Sequence, residues 1–296
     1  MTRDFGRAAR LKDEGNRCFT SGDFVGAESL YSKALVTIPN DNHRPVCMRA
    51  GLALCIIIAD DAEPTLYTNR AMARIKLQQY DSAIWDCQIC IKLGGANMKA
   101  HFIQSQCLLA LQDYDGALEN ALKAHRLGAE ANDKSLTSLT NQVLRCKKER
   151  WEDKEKKRSR EAQEIEGEVS ALMERERDAL YSACDDELER SQIKEEWDQK
   201  MESLRVIFEK ARAESEKKRE VPEWAIDDIS FGIMVDPVVT KCGKSYERAS
   251  IMEALRRRPV DPHTREPLQP NELRPNLALR QACEEFLENN GWAVDW

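Results

Sequence analysis

Long apolar runs, framework cysteines and excess positive charge are all missing from this 296-residue chain, and each absence narrows what it can be. The longest unbroken apolar run, which ends at Ala59, falls far short of the ~20 residues that a membrane-spanning helix needs, so no membrane partner is expected. The first residues show no basic-then-apolar leader pattern. Ten cysteines are scattered without the regular spacing of a disulfide-stapled domain, which suits a reducing compartment, cytoplasmic or nuclear. Cys87 and Cys90 form the only C-x-x-C, in a helical pattern with no second pair nearby, so a packed helix face is expected there rather than metal. The formal net charge of −7 argues against nucleic acid as the main partner. That charge is unevenly shared: residues 1–150 are net +3, residues 151–220 net −6 and residues 221–296 net −4. Only the first part would attract an acidic ligand.

What the first part does contain is a repeat. Small residues at Ala27, Ala83 and Ala117 anchor three segments, the last two 34 residues apart and the first two 56 apart. Gly15, Gly22, Phe24, Tyr31, Ala34 and Pro39 agree in the first segment, Tyr67, Ala71 and Tyr80 in the second, and His101, Tyr114 and Ala124 in the third. Small residues let two antiparallel helices approach, and aromatics fill the gaps between neighbouring pairs. The pattern resembles the tetratricopeptide (TPR) repeat. It implies three helical hairpins plus a capping helix over about residues 135–150, stacked into a short solenoid with a concave groove. The longer first interval marks a 22-residue insertion, residues 42–63. Its apolar stretch, residues 49–59, either lengthens the helices beside the first inter-repeat turn or packs as an extra helix.

Polar residues on the inner helices give the groove a chemistry. Lys12 and Asn16 are four apart on one helix face, Asn69 lies on the first helix of the second repeat, and Lys99 opens the third. The set resembles the carboxylate clamp of co-chaperone TPR domains, which grips the free C-terminus of heat-shock chaperones ending Glu-Glu-Val-Asp. Ammonium and amide groups are donors, and a hydrogen bond to a charged carboxylate contributes about 1.5–3 kcal/mol. The alternative is that the four are ordinary solvated residues. One turn after Lys99 stands Ile103, where many clamps carry a basic residue; it would meet the apolar side chain that precedes the terminal Asp. No acidic capping-helix residue falls at the matching position, Ser138, and Asp133 is the nearest carboxylate.

Residues 151–220 carry 38 charged residues among 70 and no proline. Apolar residues recur at helical spacing: Ile165, Val169, Leu172, Met173 and Leu180, then Ile193, Trp197, Met201, Leu204 and Phe208. A narrow stripe on a charged background suits long helices packed on each other or on a second subunit, with a reversal at Cys184-Asp185-Asp186. A single helix in solvent is the alternative.

Residues 221–296 have the layout of a RING domain with too few zinc ligands. Ile229-Ser230-Phe231-Gly232-Ile233-Met234-Val235-Asp236-Pro237 leads into a Cys242-Gly243-Lys244 turn, then Asp261-Pro262-His263-Thr264-Arg265 and Pro275-Asn276-Leu277. A structural zinc site takes four Cys or His ligands, and this segment offers Cys242, His263 and Cys283. The segment resembles the U-box, a zinc-free module that docks ubiquitin-conjugating enzymes. Packing and salt bridges must replace the metal.

Array, charged hairpin and U-box in this order, with the tail Asn290-Gly291-Trp292 and the run Lys99-Ala100-His101-Phe102, resemble the CHIP family of chaperone-linked ubiquitin ligases over nearly the whole chain. The resemblance implies a mainly α protein: a TPR domain over 1–150, a helical dimerisation hairpin over 151–220 and a small α+β U-box over 221–296. It implies binding of heat-shock 70-class and 90-class chaperones, a charged conjugating enzyme, misfolded clients and a homodimer, with no cofactor and no metal. By the same resemblance Ile229, Phe231 and Pro262 form an apolar shelf for the conjugating enzyme. Arg265 holds the ubiquitin thioester ready for attack, which is catalysis by positioning without a covalent intermediate. Ile229 and Phe231 as plain core, and Arg265 as a structural salt bridge, remain open alternatives. So do a co-chaperone adaptor without ligase activity and a ligase whose groove reads some other acidic C-terminus.

Overall fold

Six helices make three antiparallel hairpins. α1 (Phe5–Thr20) pairs with α2 (Phe24–Thr37), α3 (Pro64–Lys76) with α4 (Tyr80–Gly94), and α5 (Met98–Ala110) with α6 (Tyr114–Glu130). The computed structural model describes residues 5–37, 64–215 and 220–295; the insertion at 42–63 and Pro39 lie outside the described residues. Each hairpin turns through a left-handed residue, Gly22, Gln78 or Gln112, and these three repeat at the same intervals as the small anchors. In the first and third turns the next residue caps the second helix. Asp23 accepts from the Gly26 N–H at 2.8 Å and Asp113 from the Gly116 N–H at 3.0 Å. Ala27, Ala34, Ala71, Ala83, Ala117 and Ala124 are all fully buried at the helix crossings. At Gly15 the approach is so close that a Cβ would lie 2.7 Å from the Tyr31 ring. Cys87 and Cys90 are buried among the apolar side chains of the second and third hairpins.

One ionic cluster ties α2, α3 and α4 together. Fully buried Asp86 accepts from Arg70 at 2.6 and 2.9 Å and from Arg74 at 2.9 Å, and Arg74 also pairs with Glu28 at 2.9 Å. Burial pushes the Asp86 carboxyl up in spite of both guanidinium groups. The cluster therefore fixes the mutual orientation of three helices more than it stabilises them.

α7 (Leu136–Ala183) closes the array against α5 and α6 and then runs on, 48 residues in all, or about 70 Å. The expected capping helix and the first arm of the hairpin are thus one helix, with no break at residue 150. No proline and only Gly167 fall within it, so the rise in charge after 150 changes what the helix faces and not whether it continues. The chain reverses over residues 184–186, and α8 (Glu187–Ser215) returns against α7. Of the apolar stripe, Trp197 alone is buried, and Ile165, Leu172 and Leu180 remain exposed.

The C-terminal unit has three short strands, β1 (Pro237–Val239), β2 (Ser245–Glu247) and β3 (Arg274–Pro275), in the antiparallel order β2-β1-β3. α9 (Arg248–Arg257) and α10 (Leu277–Asn289) complete it. Its core gathers Val238, Tyr246, Ile251, Leu255 and Leu268. The unit docks on the array and on the start of α7. Val235 joins Leu109, Ala117, Val143 and Cys146, while Ala249 joins Ala124, Leu136 and Leu139. Gly291 sits where a Cβ would collide with Trp151, whose indole N–H donates to the Asn289 carbonyl at 3.1 Å.

A buried polar chain crosses the same interface. His125 Nε2 lies 3.1 Å from Thr140 Oγ1, and Thr140 donates to Glu247 Oε1 at 3.5 Å. Glu247 Oε2 accepts from the N–H groups of Val235 at 2.7 Å and Asp236 at 2.9 Å. Burial pushes the Glu247 carboxyl up to about 7, outweighing those two bonds, and pushes the His125 imidazole below its ordinary range. The folded Glu247 holds its proton more tightly than the unfolded chain does. Its contribution to stability is therefore fully present below the ordinary value of 4.5 and is lost as pH rises through about 7. His125 has the opposite sign, losing stability as pH falls below the ordinary imidazole value, and a substitution at Glu247 leaves it in place. Glu247→Gln, which presents an N–H to Thr140 at every pH, should be more stable than the unmodified chain at pH 8 by up to about 3 kcal/mol. The difference should shrink at pH 5, as read by denaturant unfolding at both pH values; an unchanged pH profile would remove Glu247 as its cause.

Candidate functional site

The groove of the array gathers polar side chains from its three inner helices. Asn16 on α1 accepts through Oδ1 from the Tyr31 hydroxyl at 2.8 Å and from Asn69 Nδ2 on α3 at 3.2 Å. Asn69 in turn accepts from Lys99 Nζ on α5 at 3.0 Å, and Lys12 Nζ donates to Thr65 Oγ1 at 3.0 Å. Of the four residues singled out from spacing, Asn16, Asn69 and Lys99 therefore form one hydrogen-bonded chain, and Lys12 lies near enough for its charge to act on Lys99. With its oxygen taken twice, Asn16 keeps its amide nitrogen as a donor. Desolvation lowers the Lys99 pKa, and the Lys12 charge nearby lowers it further. Two ammonium groups close enough to repel, Lys99 held by the Asn69 amide and Lys12 by the Thr65 hydroxyl, form a site that a carboxylate would complete.

Two members of this cluster escaped the sequence reading. Tyr31 appeared there only as a packing aromatic, and Thr65 not at all, although Thr65 stands one helical turn before Asn69. Ile103 needs correction. It has no exposed surface and packs with Tyr67, Ala71, Cys87 and Cys107, so it cannot touch a peptide in the groove. Helical spacing sets the angle between residues 99 and 103 but not which of them the neighbouring helices cover, and at α5 position 103 falls in the core. Asp133 is spent on the turn before α7, accepting from the Ser135 N–H at 2.7 Å and its hydroxyl at 2.6 Å.

In the C-terminal unit the remaining site residues stand on two loops of one design. Loop one is bracketed by a bridge between Ile226 and Ile233, and loop two by a bridge between Val260 and Pro267. Each starts on a buried aspartate, Asp227 or Asp261. The aspartate N–H donates to Gly232 O at 2.9 Å in one loop and to Glu266 O at 2.8 Å in the other. Its carbonyl accepts from the N–H four residues on, Phe231 or Arg265, at 2.8 Å in both. Those two residues are left-handed, with φ of 57° and 63°. Phe231 keeps 74% of its surface exposed, too much for a core residue. Pro262 and Arg265 are exposed as well, whereas Ile229 is half-buried against the core of the unit. Among the described residues no acidic side chain pairs with Arg265, so the salt-bridge alternative has no partner there.

Neither thiol of the unit is set up as a nucleophile. Cys283 is buried, which pushes its thiol up to about 11, and Cys242 contacts Asp261 and Thr240 rather than an imidazole. No group of three His, Cys, Asp or Glu side chains that could hold a metal occurs among the described residues.

Residues 221–292 match the U-box domain family. Over 289 residues the chain is 28% identical to the E3 ubiquitin-protein ligase CHIP of Arabidopsis thaliana, covering 97% of this chain and 95% of that one. The chain fits the CHIP family. It is also 30% identical over 142 residues to DnaJ homolog subfamily C member 7 of Homo sapiens, 48% of this chain but only 25% of that protein. Among solved structures, Hsp90 co-chaperone Cns1 from Saccharomyces cerevisiae aligns over 59% of this chain and 49% of that one, at 25% identity and a TM-score of 0.43. The first TPR of Spaghetti (RPAP3) bound to an HSP90 peptide aligns over 48% and 92%, at 25% identity and a TM-score of 0.37. With the U-box assigned, the two aspartate-capped loops are its surface loops, and both reach solvent.

Proposed function

We propose that this chain is a chaperone-associated ubiquitin-protein ligase of the cytosol or nucleus. Lys12, Asn16, Asn69 and Lys99 hold the acidic C-terminus of a heat-shock 70-class or 90-class chaperone, ending Glu-Glu-Val-Asp. The U-box recruits a ubiquitin-charged conjugating enzyme, and misfolded clients on the chaperone receive the ubiquitin. One observation carries this reading: a single chain joins, through α7, a groove of converging donors and a U-box whose loops are open. Lys12→Ala and Lys99→Ala should each weaken binding of a peptide ending Glu-Glu-Val-Asp by about tenfold, since each removes a charge-assisted bond. Added salt should weaken it too, and a C-terminally amidated peptide should fail to bind. Equal affinity of both variants and the unmodified chain would move the peptide to another surface.

Transfer of ubiquitin proceeds by positioning. Phe231, Pro262 and the exposed part of Ile229 supply apolar docking area, which contributes equally before and during reaction. Arg265, a rigid five-donor fork with no acidic partner of its own among the described residues, bridges the conjugating enzyme and ubiquitin in the reactive arrangement. In single-turnover discharge of a charged conjugating enzyme to free lysine, the chain should accelerate release of ubiquitin. Phe231→Ala should abolish docking, whereas Arg265→Ala should dock nearly normally and discharge slowly. No acceleration by the unmodified chain would make it an adaptor, and full-rate discharge by Arg265→Ala at saturation would make that arginine structural.

The active form is a homodimer built on the α7–α8 hairpin. What supports this is the half-used stripe: Ile165 and Leu172 keep 55% and 61% of their surface exposed on α7, which already packs on α8. The chain should sediment as a dimer at micromolar concentration, and charged residues at Trp197 and Met201 should shift it toward monomer. A monomeric unmodified chain would refute the dimer.

A further inference from the structure

Phe231 presents a problem that its own side chain does not solve. A bulky residue at φ 57° is disfavoured, and packing cannot hold it there because 74% of its surface is exposed. Glycine is the residue that such a turn would take if only the turn mattered. Arg265 repeats the anomaly at the same place in the second loop, so a side chain that works outside the core is set twice on a backbone that resists it. The restraint must come from hydrogen bonds, and in loop one these converge on Asp227.

Asp227 is fully buried and accepts four bonds. Its Oδ2 takes the Ser230 N–H at 2.8 Å, the Ser230 hydroxyl at 2.6 Å and the Ser250 hydroxyl at 2.7 Å. Its Oδ1 takes the Glu247 N–H at 3.0 Å. The first two fix the residue immediately before Phe231. The last two anchor the loop to the strand-to-helix corner where α9 begins. Asp261 is the twin in loop two, accepting from the N–H groups of His263 at 2.8 Å and Thr264 at 3.3 Å.

We propose that Asp227 is a positioning residue for docking of the conjugating enzyme: its carboxylate holds Ser230 and the corner of α9 so that the exposed Phe231 ring stays presented on a left-handed backbone. This rests on the docking role proposed for Phe231. The chemistry singles out the carboxylate. An asparagine there has one oxygen and one NH2, and whichever way the amide turns, a backbone N–H, of Ser230 or of Glu247, faces another donor. Loop one then loses either the bond that fixes Ser230 or its anchor on the corner of α9, while the Arg265 loop keeps its own aspartate.

The test is single-turnover discharge by the full chain, titrated against a purified conjugating enzyme carrying thioester-linked ubiquitin, with melting curves for each variant. Asp227→Asn should raise the half-saturating concentration by about tenfold, as the loss of a charge-assisted bond implies, while the rate at saturation stays within about twofold. A fold that is merely damaged would lower the saturating rate as well, through the fraction of active protein. Ser230→Ala, which removes one of the four donors and leaves the carboxylate, should give a smaller shift in the same direction and serves if Asp227→Asn unfolds. Phe231→Ala is the control that separates the two ideas. If it loses docking while Asp227→Asn and Ser230→Ala behave like the unmodified chain, the positioning role is wrong and the docking role stands. If Phe231→Ala itself docks normally, both are wrong.

Discussion

The first turns of α7 are buried on two sides, and that double burial places both candidate surfaces. On one side Val143 and Cys146 close the array with Leu109 and Ala117; on the other, Thr140 reaches Glu247 and Leu139 meets Ala249. A helix that caps a solenoid normally offers a polar outer face to solvent. Here the outer face becomes the seat of the U-box, and the same helix then leaves the body as an arm of the hairpin. The groove and the docking loops are consequently fixed relative to one shared element.

Buried carboxylates organise the structure at several points, and they do so unequally. Asp227 and Asp261 each gather several N–H or hydroxyl donors into a loop, which lets an acceptor-only group sit in the interior with its bonds made. Glu247 has fewer donors for its burial, and its raised proton affinity registers the deficit. Asp86 in the array stands between them: two arginines meet it, yet desolvation still outweighs them. In each case the carboxylate specifies geometry, and its net effect on stability follows from how completely its oxygens are satisfied.

The repeat architecture was legible because a helix crossing leaves few options: a Cβ at Gly15 would already strike Tyr31, and Ala27, Ala83 and Ala117 have no room to grow. Lys12, Asn16, Asn69 and Lys99 were legible for a related reason, since their positions repeat with the helices that carry them. Ile103 was misread because helical spacing gives the angle between two side chains and not where the boundary between groove and core falls. The continuity of α7 was missed because a jump in charge at residue 151 looks like a domain edge, while nothing near that residue breaks the helix. The seat of the U-box on the array could not be read at all. Its contacts join residues more than a hundred positions apart, such as Thr140 with Glu247 and Trp151 with Asn289, and none belongs to a pattern. The buried duty of Asp227 was hidden for the same reason, because Ser250 and Glu247 approach it only after the unit has folded.

Holding the groove and the docking loops on one body has a consequence for which lysines are modified. Under the proposed function the chaperone tail is a tether, and an acceptor lysine meets the thioester as an intramolecular event, at an effective concentration set by tether length and stiffness. Selection of the acceptor then becomes a matter of reach. Lysines within the swept volume compete by accessibility, without any contact that reads their neighbours, and the shared seat on α7 sets where that volume lies.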